Sequence, residues 1–247
     1  MPQSWSIIVF CFDEKDTVAQ VMNAATEIGA TLSGGDFEVI VVDDGSRDGS
    51  AGIIAEKSKL LPGCKVITHE KNLGIGHALQ SGYSSASKEN VVAIPADDQF
   101  DCRELLPFAQ LNDDEFISFY RVENLHYSPF RNFLSFYNKK LIEWFCGNLL
   151  KDVNWIKIYK LHHLRSAAPR MRSSLIESEI TSKLIRMQIG FREIRSVYRK
   201  RTGGSNKGGS WRVVSQAIFE MPRLISAVRK FRVPLRASET RTGSKEK

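Results

Sequence analysis

Cysteine is scarce in this chain: four residues in 247, Cys11, Cys64, Cys102 and Cys146, with no C-x-x-C pair and no neighbouring histidine at zinc-ligand spacing. That distribution excludes a disulfide framework and a structural zinc site, and leaves buried reduced thiols as the expectation. There is no basic segment followed by an apolar run at the start, which argues against a secretory signal, and no window nears the ~18 consecutive apolar residues of a spanning helix. The expectation is a cytoplasmic protein that is not secreted and lacks a transmembrane helix, and that meets a membrane only from its cytoplasmic surface.

With 42% hydrophobic and 26% charged residues, the chain has enough apolar side chains for one substantial core. Its net charge of +7 is unevenly spread. Residues 1–182 carry 18 basic and 24 acidic side chains, whereas residues 183–247 carry 17 and 4. The C-terminal quarter is thus an electropositive module, suited by charge alone to nucleic acid, an anionic lipid surface or phosphate-bearing substrates.

Apolar runs alternate with helical periodicity along most of the chain. Strands are expected at Ser6–Phe12, Phe37–Val42, Lys65–His69, Val91–Pro95, Phe116–Tyr120, Val153–Tyr159 and Phe191–Tyr198. Helices are expected after a cap at Asp16 or Thr17, and over Ile53–Leu60, Gly74–Ser87, Leu105–Leu111, a long segment after Pro129, and Ile176–Met187. Strands alternating with helices in this way predict an α/β fold, a mostly parallel doubly wound sheet with helices on both faces. Thr202–Ser210, with four glycines and two serines, has the composition of a loop. Beyond it, Trp211, Val214, Ile218, Met221, Ile225 and Val228 recur at helical spacing among arginines, interrupted at Pro222. That stripe suits either packing on the domain or docking on a membrane surface. The expected division is a catalytic domain over 1–205, a basic amphipathic segment over 206–236 and a disordered tail over 237–247.

In an open parallel sheet, ligands sit beyond the carboxyl ends of the strands. Three expected strands end in acidic or polar clusters: Asp13 and Glu14, then Asp43 and Asp44, then Asp97, Asp98, Gln99 and Asp101. One acidic mouth of this kind suits Mg²⁺ or Mn²⁺ held by one or two carboxylates together with substrate phosphate oxygens, with Asp97 as the leading ligand. Such a cation neutralises a departing diphosphate, the main obstacle to breaking a sugar–diphosphate bond.

The order of these short motifs carries more than any one of them. Phe10-Cys11-Phe12-Asp13-Glu14, Val41-Val42-Asp43-Asp44-Gly45-Ser46, Asn72-Leu73-Gly74-Ile75-Gly76 and Ala96-Asp97-Asp98-Gln99-Phe100-Asp101 follow four successive strands. With Asp152-Val153-Asn154-Trp155-Ile156-Lys157, Glu179 in a helix, and Arg199-Lys200-Arg201 before Gly203-Gly204-Ser205, they resemble the family 2 GT-A glycosyltransferases, nearest the dolichol-phosphate mannose synthase group of polyprenyl-phosphate glycosyltransferases. The resemblance runs from about Ser6 to about Ser205.

It implies that Phe10, Phe12, Glu14, Asp43 and Asp44 surround the base and ribose of a GDP- or UDP-linked sugar, although strand burial explains Phe10 and Phe12 equally well. It implies that Asp97 and Gln99 hold the metal and that Arg121 and Arg201 reach the donor phosphates. Asp97, Asp152 and Arg201 become the catalytic residues, and Arg131, Arg199, Lys200, Arg201 and Ser205 the acceptor-phosphate site. The chain departs from the family where Phe10 and Asp13 replace the usual Pro and Asn after the first strand. It departs again where Pro95-Ala96-Asp97 stands for Asp-x-Asp, so that the first acid is missing unless Asp98 supplies it.

Three functions stay open. In the first, an inverting transferase moves the sugar to a polyprenyl phosphate, which is already a nucleophile and needs only positive charge around it, while the basic C-terminal segment meets the membrane and nucleic acid plays no part. In the second, the acceptor is a hydroxyl of a growing glycan, whose proton Asp152 or Glu179 would take. In the third, the lost acid marks a catalytically silent nucleotide-binding protein.

Overall fold

The computed structural model describes residues 2–122, 140–199 and 211–234, with the side chains of the last stretch from residue 216 onward. The chain runs β1 (Trp5–Cys11), α1 (Val18–Ser33), β2 (Phe37–Asp43), α2 (Ser50–Ser58), β3 (Cys64–Thr68), α3 (Ile75–Ser85) and β4 (Asn90–Pro95). A 3₁₀ segment (Cys102–Phe108) and β5 (Glu115–Arg121) follow. After α4 (140–146) come β6 (Lys157–Lys160), α5 (Leu161–Ala167), α6 (Ile176–Arg186), β7 (Gly190–Ser196) and α7 (Trp211–Arg229).

All seven strands form one sheet in the order β3-β2-β1-β4-β6-β5-β7. The ladders β3-β2-β1-β4 and β5-β7 are parallel, and β6 pairs antiparallel with both β4 and β5. The reversed β6 restores a common direction to the six other strands, so their carboxyl ends emerge along one edge. Side chains alternate across the pleat. In β1, Trp5, Ile7, Val9 and Cys11 point into the layer shared with α1, Ile54 of α2 and the 3₁₀ segment. Ile8 of β1, with Ile40, Val42, Val91 and Ala93, points into the opposite layer, against α3, α4, α6 and α7. The mostly parallel sheet with both faces covered is therefore observed.

Four local expectations are corrected. The helix over Leu105–Leu111 is a 3₁₀ turn that starts earlier, where Asp101 accepts from the Arg103 N–H at 3.0 Å, and holds Pro107, which cannot donate to a helical ladder. The strand over Val153–Tyr159 begins only at Lys157, because the preceding residues wrap the buried Lys157 ammonium, which donates to the Val153 and Trp155 carbonyls at 2.7 and 2.9 Å. Short α5 was not foreseen. Pro222 does not interrupt α7: it and Ile218, whose carbonyl loses its partner, are both on the exposed side, where water can replace that bond.

The amphipathic stripe packs on the domain through a shifted set of residues. Ala217, Met221, Leu224 and Val228 are buried in the α3/α6 layer, and Ile218 is 54% exposed. The side chains of Trp211 and Val214 and the tail over 237–247 lie outside the described residues. The four cysteines are free thiols; Cys11, Cys102 and Cys146 are buried and Cys64 half-buried. Burial pushes Cys11 and Cys102 up to about 12 and Cys146 to about 11, as expected of inert packing residues.

Candidate active site

Where β1 and β2 end, two loops are tied together by short polar side chains. Asp13 adopts a left-handed φ of 53°, which points its carboxylate at the Arg47 N–H (2.7 Å) while its own N–H donates to Ser46 Oγ (2.9 Å). The Glu14 N–H donates to Ser50 Oγ at 2.9 Å, and Asp48 accepts from the Ser50 and Lys15 N–H groups. Burial raises the Asp48 carboxyl, but these bonds outweigh it and leave it lowered. Phe10, Phe12 and Glu14 are half-buried on the rim so formed, with Phe10 packed against the core.

Asp43 and Asp44 are both buried, yet the structure puts them to different uses. One Asp43 oxygen accepts from the Ser46 N–H at 3.1 Å, while Oδ2 is buried with no hydrogen-bond partner among the described residues. Asp44 is fully engaged: Oδ1 meets His69 Nδ1 (2.7 Å) and accepts from the Leu73 N–H (3.0 Å), and Oδ2 accepts from the Gly74 N–H (2.7 Å). His69 Nε2 in turn contacts Ser81 Oγ at 2.9 Å. Asp44 is thus a brace for the loop over residues 69–74. Gly45, at φ 73°, lets that loop close over it, since a Cβ there would lie 2.5 Å from the Lys71 carbonyl carbon.

The loop after β4 carries the acids expected to hold a cation. Asp97 is half-buried, and its Oδ1 accepts from the Gln99 N–H at 3.1 Å. The Gln99 side-chain amide donates to the Tyr198 hydroxyl, and the Gln99 backbone carbonyl accepts from the Arg199 N–H at 3.1 Å. Asp98, at φ 56°, turns to Gln20 (3.2 Å) and to Arg199 (3.6 Å). Asp101 takes a fork from Arg103 and a further bond from Arg199; the Arg103 bonds and then the Arg199 charge lower its carboxyl. The residues after β7 are therefore laced to this loop, and Asp98 and Asp101 face protein cations.

At the carboxyl end of β5, Arg121 makes a two-point fork with Asp152 (Nε to Oδ2 2.8 Å, Nη2 to Oδ1 3.2 Å). Its guanidinium lies over the Trp155 ring at 4.6 Å and over Tyr198 at 5.8 Å. Trp155 is packed edge-on against Phe100 and Tyr198. Burial raises the Asp152 carboxyl, but the Arg121 bonds and the charges of Arg121 and Lys157 prevail and hold it below its ordinary value. Glu179, the other acid considered as a base, is fully buried: it accepts from the Arg170 and Met171 N–H groups at 2.7 and 2.8 Å and from Lys183 Nζ at 2.6 Å. It is a structural pair, and its lysine continues to the Ala167 carbonyl at 2.9 Å.

The structure thus gathers Phe10, Phe12, Glu14, Asp43, Asp44, Asp97, Gln99, Arg121, Asp152 and Arg199 along one sheet edge. Arg131, Lys200, Arg201 and Ser205 lie outside the described residues. Tyr198, Trp155 and His69 join the site without having been assigned roles. Their only sequence signal was adjacency to the motifs, because an aromatic or a histidine at a strand end reads equally well as packing.

The sequence model of glycosyl transferase family 2 matches residues 6–148, more than half of the chain and all of the β1–β5 unit just described. The chain belongs to glycosyl transferase family 2. Among family 2 relatives, it is 25% identical over 161 residues to the undecaprenyl-phosphate 4-deoxy-4-formamido-L-arabinose transferase of Klebsiella pneumoniae, covering 64% of this chain and 49% of that protein. It is 32% identical over 108 residues to the poly-β-1,6-N-acetyl-D-glucosamine synthase of Staphylococcus epidermidis, covering 44% of this chain and 24% of that one. The chain thus spans about half or less of the length of these relatives. In fold it is similar to the glucosyl-3-phosphoglycerate synthase of Mycobacterium tuberculosis, solved with Mn²⁺, UDP-glucose and phosphoglyceric acid (TM-score 0.66, 14% identity, 91% of this chain and 80% of that one). That likeness bears out the expected GT-A fold.

For a family 2 chain the remaining question is whether the residues present suit a divalent cation. Among the described residues no three histidines, cysteines or acids converge as a metal cage. A Mg²⁺ or Mn²⁺ that shares its shell with a diphosphate needs only one or two protein oxygens. Asp97 and Gln99, two residues apart on one rim loop and joined by the Gln99 N–H bond, offer a carboxylate and an amide oxygen of that hard kind. The donor set fits.

Proposed function

We propose that this chain transfers a sugar from a nucleotide-sugar donor, UDP- or GDP-linked, to the phosphate of a polyprenyl phosphate at the cytoplasmic face of a membrane. An acceptor phosphate oxygen bonds to the anomeric carbon from the face opposite the leaving group. The bond from that carbon to the diphosphate breaks, the configuration inverts, and the nucleoside diphosphate departs.

The observation that carries this reading is the state of Asp152 and Glu179. A hydroxyl acceptor has a pKa far above 7 and needs a carboxylate of raised basicity to take its proton. Asp152 is forked to Arg121 and lowered, and Glu179 is buried against Lys183. A phosphate oxyanion makes no such demand and gains from nearby cations. The similarity to an undecaprenyl-phosphate transferase points the same way.

In this reading Asp43 Oδ2, buried and without a partner, accepts from a nucleotide N–H or ribose hydroxyl. Phe10, Phe12 and Glu14 complete that pocket, and Asp44 acts through the loop it braces. Arg121, held by Asp152 over Trp155, faces the diphosphate, and the family resemblance assigns Arg201 the same role. Arg131, Arg199, Lys200, Arg201 and Ser205 are the residues that the family resemblance assigns to the acceptor phosphate. Asp97 and Gln99 would hold Mg²⁺ or Mn²⁺, which when bound neutralises the diphosphate as it leaves.

The test is a screen of UDP- and GDP-sugars with a short polyprenyl phosphate, with and without Mn²⁺, scored for lipid-linked sugar. Metal-dependent product is expected. Transfer to glycan hydroxyls alone would replace this reading with the hydroxyl-acceptor one, and nucleotide binding with no transfer to any acceptor would leave a silent nucleotide-binding protein.

A further inference from the structure

α7 has a second face, and it is not the one that packs. Ala217, Met221, Leu224 and Val228 form the buried stripe. On the opposite side of the helix, Phe219 is 79% and Ile218 54% exposed, beside exposed Pro222. The same side carries Arg223, Arg229 and Lys230, all exposed, and Arg232 follows the helix. At 100° per residue, Ile218, Phe219, Pro222, Arg223, Arg229 and Lys230 fall within one arc of about 140°. From residue 216 to 234 the one acid is Glu220, and it is turned inward to accept from the Ser173 N–H at 3.1 Å.

Exposed aromatic and aliphatic side chains ringed by arginine and lysine that pair with no acid among the described residues are unlike an ordinary solvated helix face, which is polar. Their chemistry matches the interface of an anionic bilayer, where apolar side chains enter the acyl boundary and cations meet the headgroups. The patch continues toward α4: the Arg229 guanidinium lies 5.2 Å from the Phe145 ring, and the adjoining Trp144 is 81% exposed.

The patch also stands on the correct side of the molecule. Glu220, in the same turn as Phe219, binds Ser173. The Arg172–Ser173 backbone lies against the first turn of α3, so close that a Cβ on Gly76 would meet the Arg172 carbonyl oxygen at 2.3 Å. That turn follows the carboxyl end of β3 and the loop that Asp44 braces, so the apolar end of the outer face adjoins the mouth.

We propose that the outer face of α7, through Ile218 and Phe219 with Arg223, Arg229 and Lys230, docks the protein on an anionic lipid bilayer with the mouth beside the membrane. The inference deepens the lipid-phosphate reading and rests on it for its purpose, since docking would bring a membrane-embedded phosphate to the site. The full chain is sedimented with phosphatidylcholine vesicles, with and without phosphatidylglycerol, at low and high salt. Binding is expected only with phosphatidylglycerol, reduced by salt, and weakened about tenfold or more by Phe219→Glu. Phe219→Ser, which adds no charge, should weaken it less but measurably, and both variants should keep the parent melting temperature because the side chain is exposed.

Turnover with a short, water-soluble prenyl phosphate in the absence of vesicles should be the same in Phe219→Glu as in the parent. Equal vesicle binding by parent and variants overturns the proposal, as does a parent that binds no vesicle. A parent dimer that Phe219→Glu converts to monomer overturns it too, because a second copy would then cover the face. A parent that binds vesicles but glycosylates no prenyl phosphate overturns the functional reading and leaves the docking surface standing.

Discussion

The two halves of the sheet satisfy most of their carboxylates in different ways, the Glu38–Lys65 pair of β2 and β3 being an exception. Around β3-β2-β1, Asp13, Asp43, Asp44 and Asp48 accept mainly from backbone N–H groups, which bring no net charge. Around β5-β6-β7, Asp152, Asp101, Glu115 and Glu179 are matched by Arg121, Arg199, Arg192 and Lys183. The first half therefore keeps its negative charge and suits a ligand that brings N–H and O–H donors. The second holds cations braced by acids, an arrangement that fixes a guanidinium in place for an anionic group. Asp97 follows β4, between the two, and is one of the residues that would hold the proposed Mg²⁺ or Mn²⁺.

The sharpest test of that division is Asp97 itself. Asp97→Ala should lower kcat/KM by about a thousandfold or more and abolish Mn²⁺-dependent nucleotide binding in calorimetry, since a metal-held leaving group contributes several kcal/mol to the barrier. Unaltered transfer and Mn²⁺ uptake would remove the metal from the account.

Next in size is the contrast between Asp43 and Asp44. Asp43→Asn should weaken nucleotide binding about tenfold, the worth of one hydrogen bond to a charged group, with little change in melting temperature. Asp44→Asn should do the reverse and destabilise the fold by about 1–3 kcal/mol, because the His69 ring and two N–H groups lose a charged acceptor. If both variants shift only affinity, the two acids are equivalent ligands and the distinction fails.

Asp152→Asn separates a brace from a base. As a brace for Arg121 it should cost roughly tenfold to a hundredfold in kcat/KM, with the pH profile above neutrality unchanged. A general base would instead give near-total loss and erase an ionisation from the pH–rate profile.

The smallest effect concerns the far end of the sheet, at Glu38 on β2. Burial raises its carboxyl, but Lys65, Ser6 and the Ser87 N–H and hydroxyl outweigh that and bring it to about 2 from 4.5. A carboxyl lowered on folding stabilises the protein above its unfolded pKa, and that contribution fades as pH falls from about 4.5 toward 2. Acid unfolding of Glu38→Gln should therefore be less steep over that window, with a loss of about 1 kcal/mol at neutral pH relative to the parent, since solvent screens the exposed Lys65.

Much of this was legible because it is local. The strand–helix alternation through β5 followed from side-chain period alone, and the acidic mouth followed from acids placed just after apolar runs. What was misjudged depended on hydrogen-bond partners that apolar periodicity does not register. Val153–Ile156 has the composition of a strand but folds around Lys157, and the Leu105–Leu111 periodicity was overridden by the Asp101 cap. Glu179 looked like a base until Lys183 and two N–H groups were found on it. At Ile218 the helical spacing was read correctly, but spacing does not say which side of a helix finds the core.

Sequence by itself determined the layered α/β architecture, the order of the motifs and the charge asymmetry of the C-terminal quarter, since each is a property of residues close along the chain. Only the tertiary structure decided that Asp43 keeps a bare oxygen while Asp44 braces a loop, that Asp152 is forked to Arg121, and that α7 buries one face and bares another. Those outcomes turn on which donors, cations and apolar surfaces come within a few ångströms from distant parts of the chain, and it is that proximity that fixes whether a side chain serves a ligand or the fold.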